Sequence, residues 1–171
     1  MAEENHGSLE ADMAAANGSD NGPTVGIINQ YIKDMSVENP NAPESHQWEQ
    51  QPQIDVQFNI GSRSFGDEMH EVELKINVTA KAEQGTAFIV ELAYAAMVGM
   101  RNVPEDQAHA FLFGEAPRII FPFARRILAD AVRDAGFPPL MLEPMDFNTL
   151  YLQQLAQKQA AEAGEQPAGN A

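Results

Sequence analysis

The sequence predicts an α+β domain built on an antiparallel sheet. Alternating polarity fills the first half of the chain, helical spacing fills the second, and the links between the clearest strand candidates are short and carry glycine. The chain has 171 residues, a length suited to one domain, and 44% of them are hydrophobic, enough for a core.

Residues 1–24 contain Glu3, Glu4, Glu10, Asp12 and Asp20 but no Lys or Arg, and are otherwise mostly Ala, Asn, Gly and Ser. Little there offsets the entropy of ordering, so a disordered acidic tail is expected. Residues 161–171, rich in Ala, Gly and Glu with Pro167, are expected to form a flexible tail. The ordered domain then spans 25–160.

Its first element is a strand candidate, Ile27 to Val37, near whose end Asp34, Ser36 and Glu38 share one face opposite Met35 and Val37. The stretch from Asn39-Pro40-Asn41-Ala42-Pro43 to Pro52 is long and proline-rich, so it reads as a crossover and not a tight turn. Next, Ile54, Val56, Phe58 and Ile60 alternate with Gln53, Asp55, Gln57 and Asn59. Val72, Leu74, Ile76, Val78 and Ala80 alternate in the same way with Glu71, Glu73, Lys75, Asn77 and Thr79. That period of two marks half-buried strands. Phe88, Val90, Leu92 and Tyr94 form one face of a further strand, with Ala87, Ile89, Glu91 and Ala93 on the other. Links 61–68 and 82–85, with Gly61, Gly66 and Gly85, fit antiparallel hairpins.

Helices follow. Pro104-Glu105-Asp106 opens one that is expected to reach Phe113 and stop at Gly114. A longer one runs from Pro117 to Gly136, with Ile120, Ala124, Ile127, Leu128, Ala131 and Ala135 on one face. Arg126 and Asp130 pair on its other side, and Pro122 is expected to distort its first turns. Asp146 caps a last helix through about Ala160, with Phe147, Leu150, Tyr151 and Leu155 on one side.

The chemistry is defined largely by what is missing. No cysteine is present, which removes disulfides and thiol chemistry. GxxxxGK[ST], GxGxxG, GxSxG and HExxH are all absent. His6, His46, His70 and His109 are widely spaced and read as solvated side chains. Glu71 and Glu73, near Asp67 and Glu68, read as the solvated face of a strand and not as an acid/base pair. No catalytic residue, metal site or cofactor is expected. The N-terminus has neither a basic nor an apolar signal region, and the longest mostly apolar run, Leu92–Met100, is too short to span a bilayer, so a cytoplasmic protein is expected.

The net charge of −15 disfavours nucleic acid and anionic membranes and favours a partner with a basic patch. Asp34, Glu38 and Glu91 are candidate contacts for such a partner, or else a solvated edge. Between the last two helices, Phe137-Pro138-Pro139-Leu140-Met141-Leu142-Glu143-Pro144-Met145 is apolar and proline-stiffened, unlike an ordinary loop. It is either a lid over the core or the wall of an apolar groove to which Met97 and Met100 add.

Four segments, in order, carry a family resemblance. Tyr31-Ile32-Lys33-Asp34-Met35-Ser36-Val37-Glu38-Asn39-Pro40-Asn41-Ala42-Pro43 resembles the first strand and "PNAP" stretch of SecB, the bacterial protein-export chaperone. Gly85-Thr86-Ala87-Phe88-Ile89-Val90-Glu91 resembles its "ETAF-CE" strand, with Val90 in place of the usual Cys. Ile119-Ile120-Phe121-Pro122-Phe123-Ala124-Arg125 resembles its "ILFPYAR" helix start, and Gly136 to Phe147 its "GFP-L-L-PV-F" loop. The resemblance covers about residues 27–155. It departs at Gln50-Gln51-Pro52, where many members carry "WQP"; Trp48 stands two residues earlier, on the same face if the segment is extended.

The resemblance implies a four-stranded antiparallel sheet with two to three helices packed on one face, assembled as a dimer of dimers. It implies a cytoplasmic, ATP-independent holdase that keeps unfolded precursor proteins translocation-competent and passes them to the ATPase SecA. By motif match, Asp34, Glu38, Ile89 and Glu91 would meet SecA's basic, zinc-bearing C-terminal segment. Trp48, Val56, Phe58, Ile60, Leu140 and Leu142 are candidates for the client groove. With no nucleotide site, release would come from handover. Rival readings are an adaptor for one folded partner and a small hydrolase built on a carboxylate pair that includes Glu71.

Overall fold

The computed structural model describes residues 21–164. The tails expected at 1–24 and 161–171 lie largely outside the described residues. Within them, ordered structure reaches slightly past the expected domain at both ends.

Four strands form one antiparallel sheet: β1 (Thr24–Glu38), β2 (Gln53–Gly66), β3 (Met69–Ala82) and β4 (Gly85–Arg101). Their spatial order is β1-β4-β3-β2, so the first two strands occupy opposite edges. The proline-rich link between them is therefore a crossover, as its length and composition indicate. It contains a short 3₁₀ turn, Glu44–Gln47. Hairpins join β2 to β3 and β3 to β4.

Alternation decides what each strand buries. Val72, Leu74, Ile76, Val78 and Ala80 of β3 are fully buried on one face. Phe88, Val90, Leu92, Tyr94, Ala96 and Val98 of β4 are buried on the same side. Among the described residues, helices cover that face alone. α1 (Glu105–Ala110) continues through a π-helical turn, Phe111–Glu115, into α2 (Ala116–Asp134). Ile120, Phe121, Ala124, Leu128, Ala131 and Val132 of α2 close the core. Each large side chain buried there contributes about 1.5–3 kcal/mol of hydrophobic stabilisation.

Two expectations need correction. The strand expected to end near Tyr94 runs to Arg101. Ala93, Ala95 and Ala96 are buried, so its last half lacks the polar alternation that marks a strand with one wet face. Gly114 does not stop a helix. It is buried inside the π-helical turn, where a Cβ would come within 2.5 Å of Asn148 Oδ1. Its smallness admits the start of α3 (Phe147–Gly164). Pro122 sits within α2 without ending it.

The other two helix ends behave as read. Gly136, at φ +93°, follows α2 in a conformation costly for other residues, and its N–H donates to Arg133 O at 2.9 Å. Asp146 caps α3: its Oδ1 accepts from Thr149 N at 3.0 Å and its Oδ2 from Thr149 Oγ1 at 2.7 Å. Beyond Phe147, which is buried, α3 is largely exposed, with Leu152 at 63%. It packs mainly on the π-helical turn.

Candidate functional site

Three cavities with apolar and mixed walls open along β2 and the crossover that leads into it. The first, about 210 Å³, is lined by Gln51, Pro52, Ile54, Phe88, Phe137 and Leu140, among others. A neighbouring one, about 240 Å³, holds Trp48, His46 and Ala87 and shares Gln51, Pro52, Phe137 and Pro138 with it. Phe137 is thus a partition between them. His46 and Phe88 each stack against it at 4.8 Å between ring centroids. Gly136 is needed here twice over, because a Cβ would also lie 2.7 Å from the His46 ring. A third cavity, about 360 Å³, lies further along β2 between Phe58, Ile60, Phe113, Met145 and the first turns of α3.

The groove candidates divide. Trp48, Phe58, Ile60 and Leu140 line cavities. Val56 is half-buried against the core and lines none of them, and Leu142 belongs to the core itself. Ile54, Phe88, Phe113 and Tyr151 line cavities without having been singled out for the groove in the sequence. Ile54 and Phe88 head the apolar faces of their strands, the one signal that pointed to them. Met97 and Met100 lie within β4, away from these cavities. The loop 137–145 is both wall and lid: Leu142 is buried while Met141 is 60% exposed.

The uncovered face of the sheet is polar. There the β1–β4 register sets Asp34 opposite Ala93, Ser36 opposite Glu91, and Glu38 opposite Ile89. All four predicted partner-contact residues therefore meet on one patch of two adjacent strands. Ser36 Oγ donates to Glu91 Oε2 at 3.5 Å. Among the described residues no ion pair reaches Asp34, Glu38 or Glu91.

Beside this patch lies a network that the alternation pattern missed. Glu71, read as solvated, is only 5% exposed. Its Oε1 accepts from Lys33 Nζ at 2.6 Å and Arg63 Nε at 2.9 Å, and its Oε2 accepts from Tyr31 OH. The Lys33 hydrogen bond, then Tyr31, then Arg63 hold its carboxyl at about 2 against the opposing effect of burial. Burial, and then Glu71, push the Tyr31 hydroxyl upward. Tyr31 and Lys33 belong to β1 and Glu71 to β3, so the bonds arch over β4 and cover Ala95, which is fully buried on a face with no helix. Such an ionised, fully engaged carboxylate is poorly suited to proton transfer near neutral pH. Among the described residues no group of His, Asp or Glu is arranged to hold a metal ion, and no helix is long and apolar enough to cross a membrane.

An open four-stranded antiparallel sheet with helices on one face is a fold shared with a SecB-like chaperone of known structure. A SecB-like chaperone of Mycobacterium tuberculosis, solved in complex with a ChAD peptide from an antitoxin, superposes with a TM-score of 0.58 at 14% identity, over 79% of this chain and 91% of that one. The chain belongs to the SecB family. Residues 18–158 match the family model described as preprotein translocase subunit SecB. It is 67% identical to the protein-export protein SecB of Novosphingobium aromaticivorans, over 94% of this chain and 92% of the relative. It is 61% identical to that of Erythrobacter litoralis over the whole of both chains.

Proposed function

We propose that this protein is an ATP-independent holdase of the cytoplasm, which keeps unfolded precursors competent for Sec-dependent export and hands them to SecA. The observation that carries the reading is the row of cavities along β2 and the crossover that precedes it, in a chain of this family. Apolar side chains dominate the 210 Å³ cavity, and in the other two aromatic, aliphatic and proline side chains stand beside polar ones such as Asn59, Gln154, Glu49 and Gln50. Such a surface suits extended polypeptide recognised by apolar side chains at many weak sites. The peptide held by the M. tuberculosis chaperone of like fold supports a polypeptide ligand.

The patch of Asp34, Glu38, Ile89 and Glu91 is the proposed contact for SecA's basic, zinc-bearing C-terminal segment. Three exposed carboxylates with no ion-pair partner among the described residues, around one half-buried isoleucine, complement a basic segment. Placing that contact on the face opposite the helices leaves client and SecA able to bind together during handover.

A homotetramer completes the proposal. β1 is an uncapped 15-residue edge strand whose Val25, Ile28, Ile32 and Val37 are exposed. A long apolar edge of that kind supports pairing with a second copy. Phe123, 46% exposed on the outer side of α2, supports a second contact between dimers.

Native mass spectrometry tests both claims. The protein alone is expected at about 75 kDa, as four chains of 18.7 kDa. A heavier species is expected with an unfolded secretory precursor and not with the same precursor folded. A monomer that ignores unfolded chains would overturn the reading in favour of an adaptor.

A further inference from the structure

The acidic patch has two lysines as close neighbours, yet neither neutralises it. Lys33 adjoins Asp34 in sequence. Between Ile32, opposite Tyr94, and Asp34, opposite Ala93, the β1–β4 register slips by one residue, and Lys33 is the extra one. In a regular strand consecutive side chains point to opposite faces. The bulge puts Lys33 and Asp34 on the same face, since Lys33 Nζ reaches Glu71 and Glu73 there. Lys75 is the second neighbour. It lies opposite Ala93, in the row that continues to Asp34, and one diagonal step from Glu91, which pairs with Asn77. Ala93 is small and leaves both routes open.

Both ammonium groups are turned away. Lys33 Nζ lies 2.6 Å from Glu71 and 2.9 Å from Glu73; Lys75 Nζ lies 3.2 Å from the other oxygen of Glu73. Glu73 therefore holds both lysines at once, and Tyr31 and Arg63 anchor Glu71 beside it.

We infer that Glu73, buttressed by Glu71, is a positioning residue for partner binding: it sequesters Lys33 and Lys75 so that Asp34 and Glu91 stay unpaired and available to a basic segment. This rests on the proposed SecA contact and deepens it. Neither glutamate touches the partner. Their carboxylates instead decide where two nearby positive charges point. Without them the lysines swing to Asp34 and Glu91, and a basic ligand must displace an internal ion pair before binding.

Calorimetric titration of the full-length protein with a zinc-loaded synthetic peptide of the SecA C-terminal segment, at low ionic strength, tests this. Glu73→Gln is expected to weaken binding about fivefold, while Asp55→Asn, which removes the same charge from exposed β2, changes it less than twofold. Lys33→Met with Lys75→Met is expected to change affinity less than twofold in the native background and to restore it fully in the Glu73→Gln background. That non-additivity distinguishes redirected lysines from a lost charge. Equal effects of Glu73→Gln and Asp55→Asn, or equal effects of lysine removal in both backgrounds, overturn the inference alone. Unchanged affinity in Asp34→Asn/Glu91→Gln overturns the SecA contact and the inference with it. Should Glu73→Gln misfold, Lys75→Met alone still decides: a rise in affinity above threefold would show that Lys75 already neutralises the patch and would overturn the proposal.

Discussion

Glu71 shows how one side chain holds three strands. It takes hydrogen bonds from β1 and β2 while standing on β3. Its carboxyl titrates near 2 in the folded protein, below the usual 4.5, so its contribution to stability is complete above about pH 4.5 and is lost as pH falls toward 2. Glu71→Gln should therefore lower stability by about 2 kcal/mol at neutral pH and flatten the pH dependence between 4.5 and 2, which urea unfolding across that range will read. Gly114 is the second residue on which a packing arrangement turns. Gly114→Ala presses a methyl group against Asn148 and should cost about 1–3 kcal/mol, seen as a lower urea midpoint with early loss of α3 helicity. Neither role is visible in the local pattern. Glu71 sits at a regular polar position of β3, and its partners lie 8 to 40 residues away in sequence. Gly114 reads locally as a helix stop, and only the approach of Asn148 explains it.

Among the elements, β2 and β3 were the most legible, because one face of each is apolar and the other wet. β4 was half legible: its central position and small residues on both faces erase the alternation. β1 was legible as a strand candidate over Ile27 to Val37, yet its bulge at Lys33 is set by pairing with β4 and leaves no mark of its own in sequence. Asp34 and Glu38 could still be placed together, since the regular stretch after the bulge keeps 34, 36 and 38 on one face, whereas Ile89 joined them only through the family resemblance. Half of the cavity-lining residues could not be read, since the walls bring together segments far apart in sequence, among them the crossover, β2 and the loop 137–145. The exposed edge of β1 carries its own test. Ile28→Lys with Ile32→Lys should leave the monomer fold intact, because both side chains are exposed, and shift the native mass below 75 kDa.

At the scale of the whole molecule, the two proposed binding surfaces lie on different parts of the fold and use different physics. The cavities depend on apolar contact and the β1–β4 patch on charge. Raising salt from 50 to 500 mM should weaken binding of the basic SecA segment at least tenfold while changing affinity for an unfolded client less than threefold, as paired titrations will show. A protein carrying −15 overall directs that steering at any basic partner.

The strand order has a further consequence for how the chain comes to be folded. β1 is synthesised first, but the strand it pairs with is the last of the four: Thr24 meets Arg101, and Glu38 meets Ile89. The hairpins β2–β3 and β3–β4 close short loops and can form as soon as they emerge, whereas β1 must wait until more than half the chain has been made. The nascent protein thus displays an apolar strand awaiting its place, the very condition it is proposed to guard against in others. Only when β1 docks does the edge proposed for pairing exist, so the proposed pairing of subunits would wait for completion of the sheet.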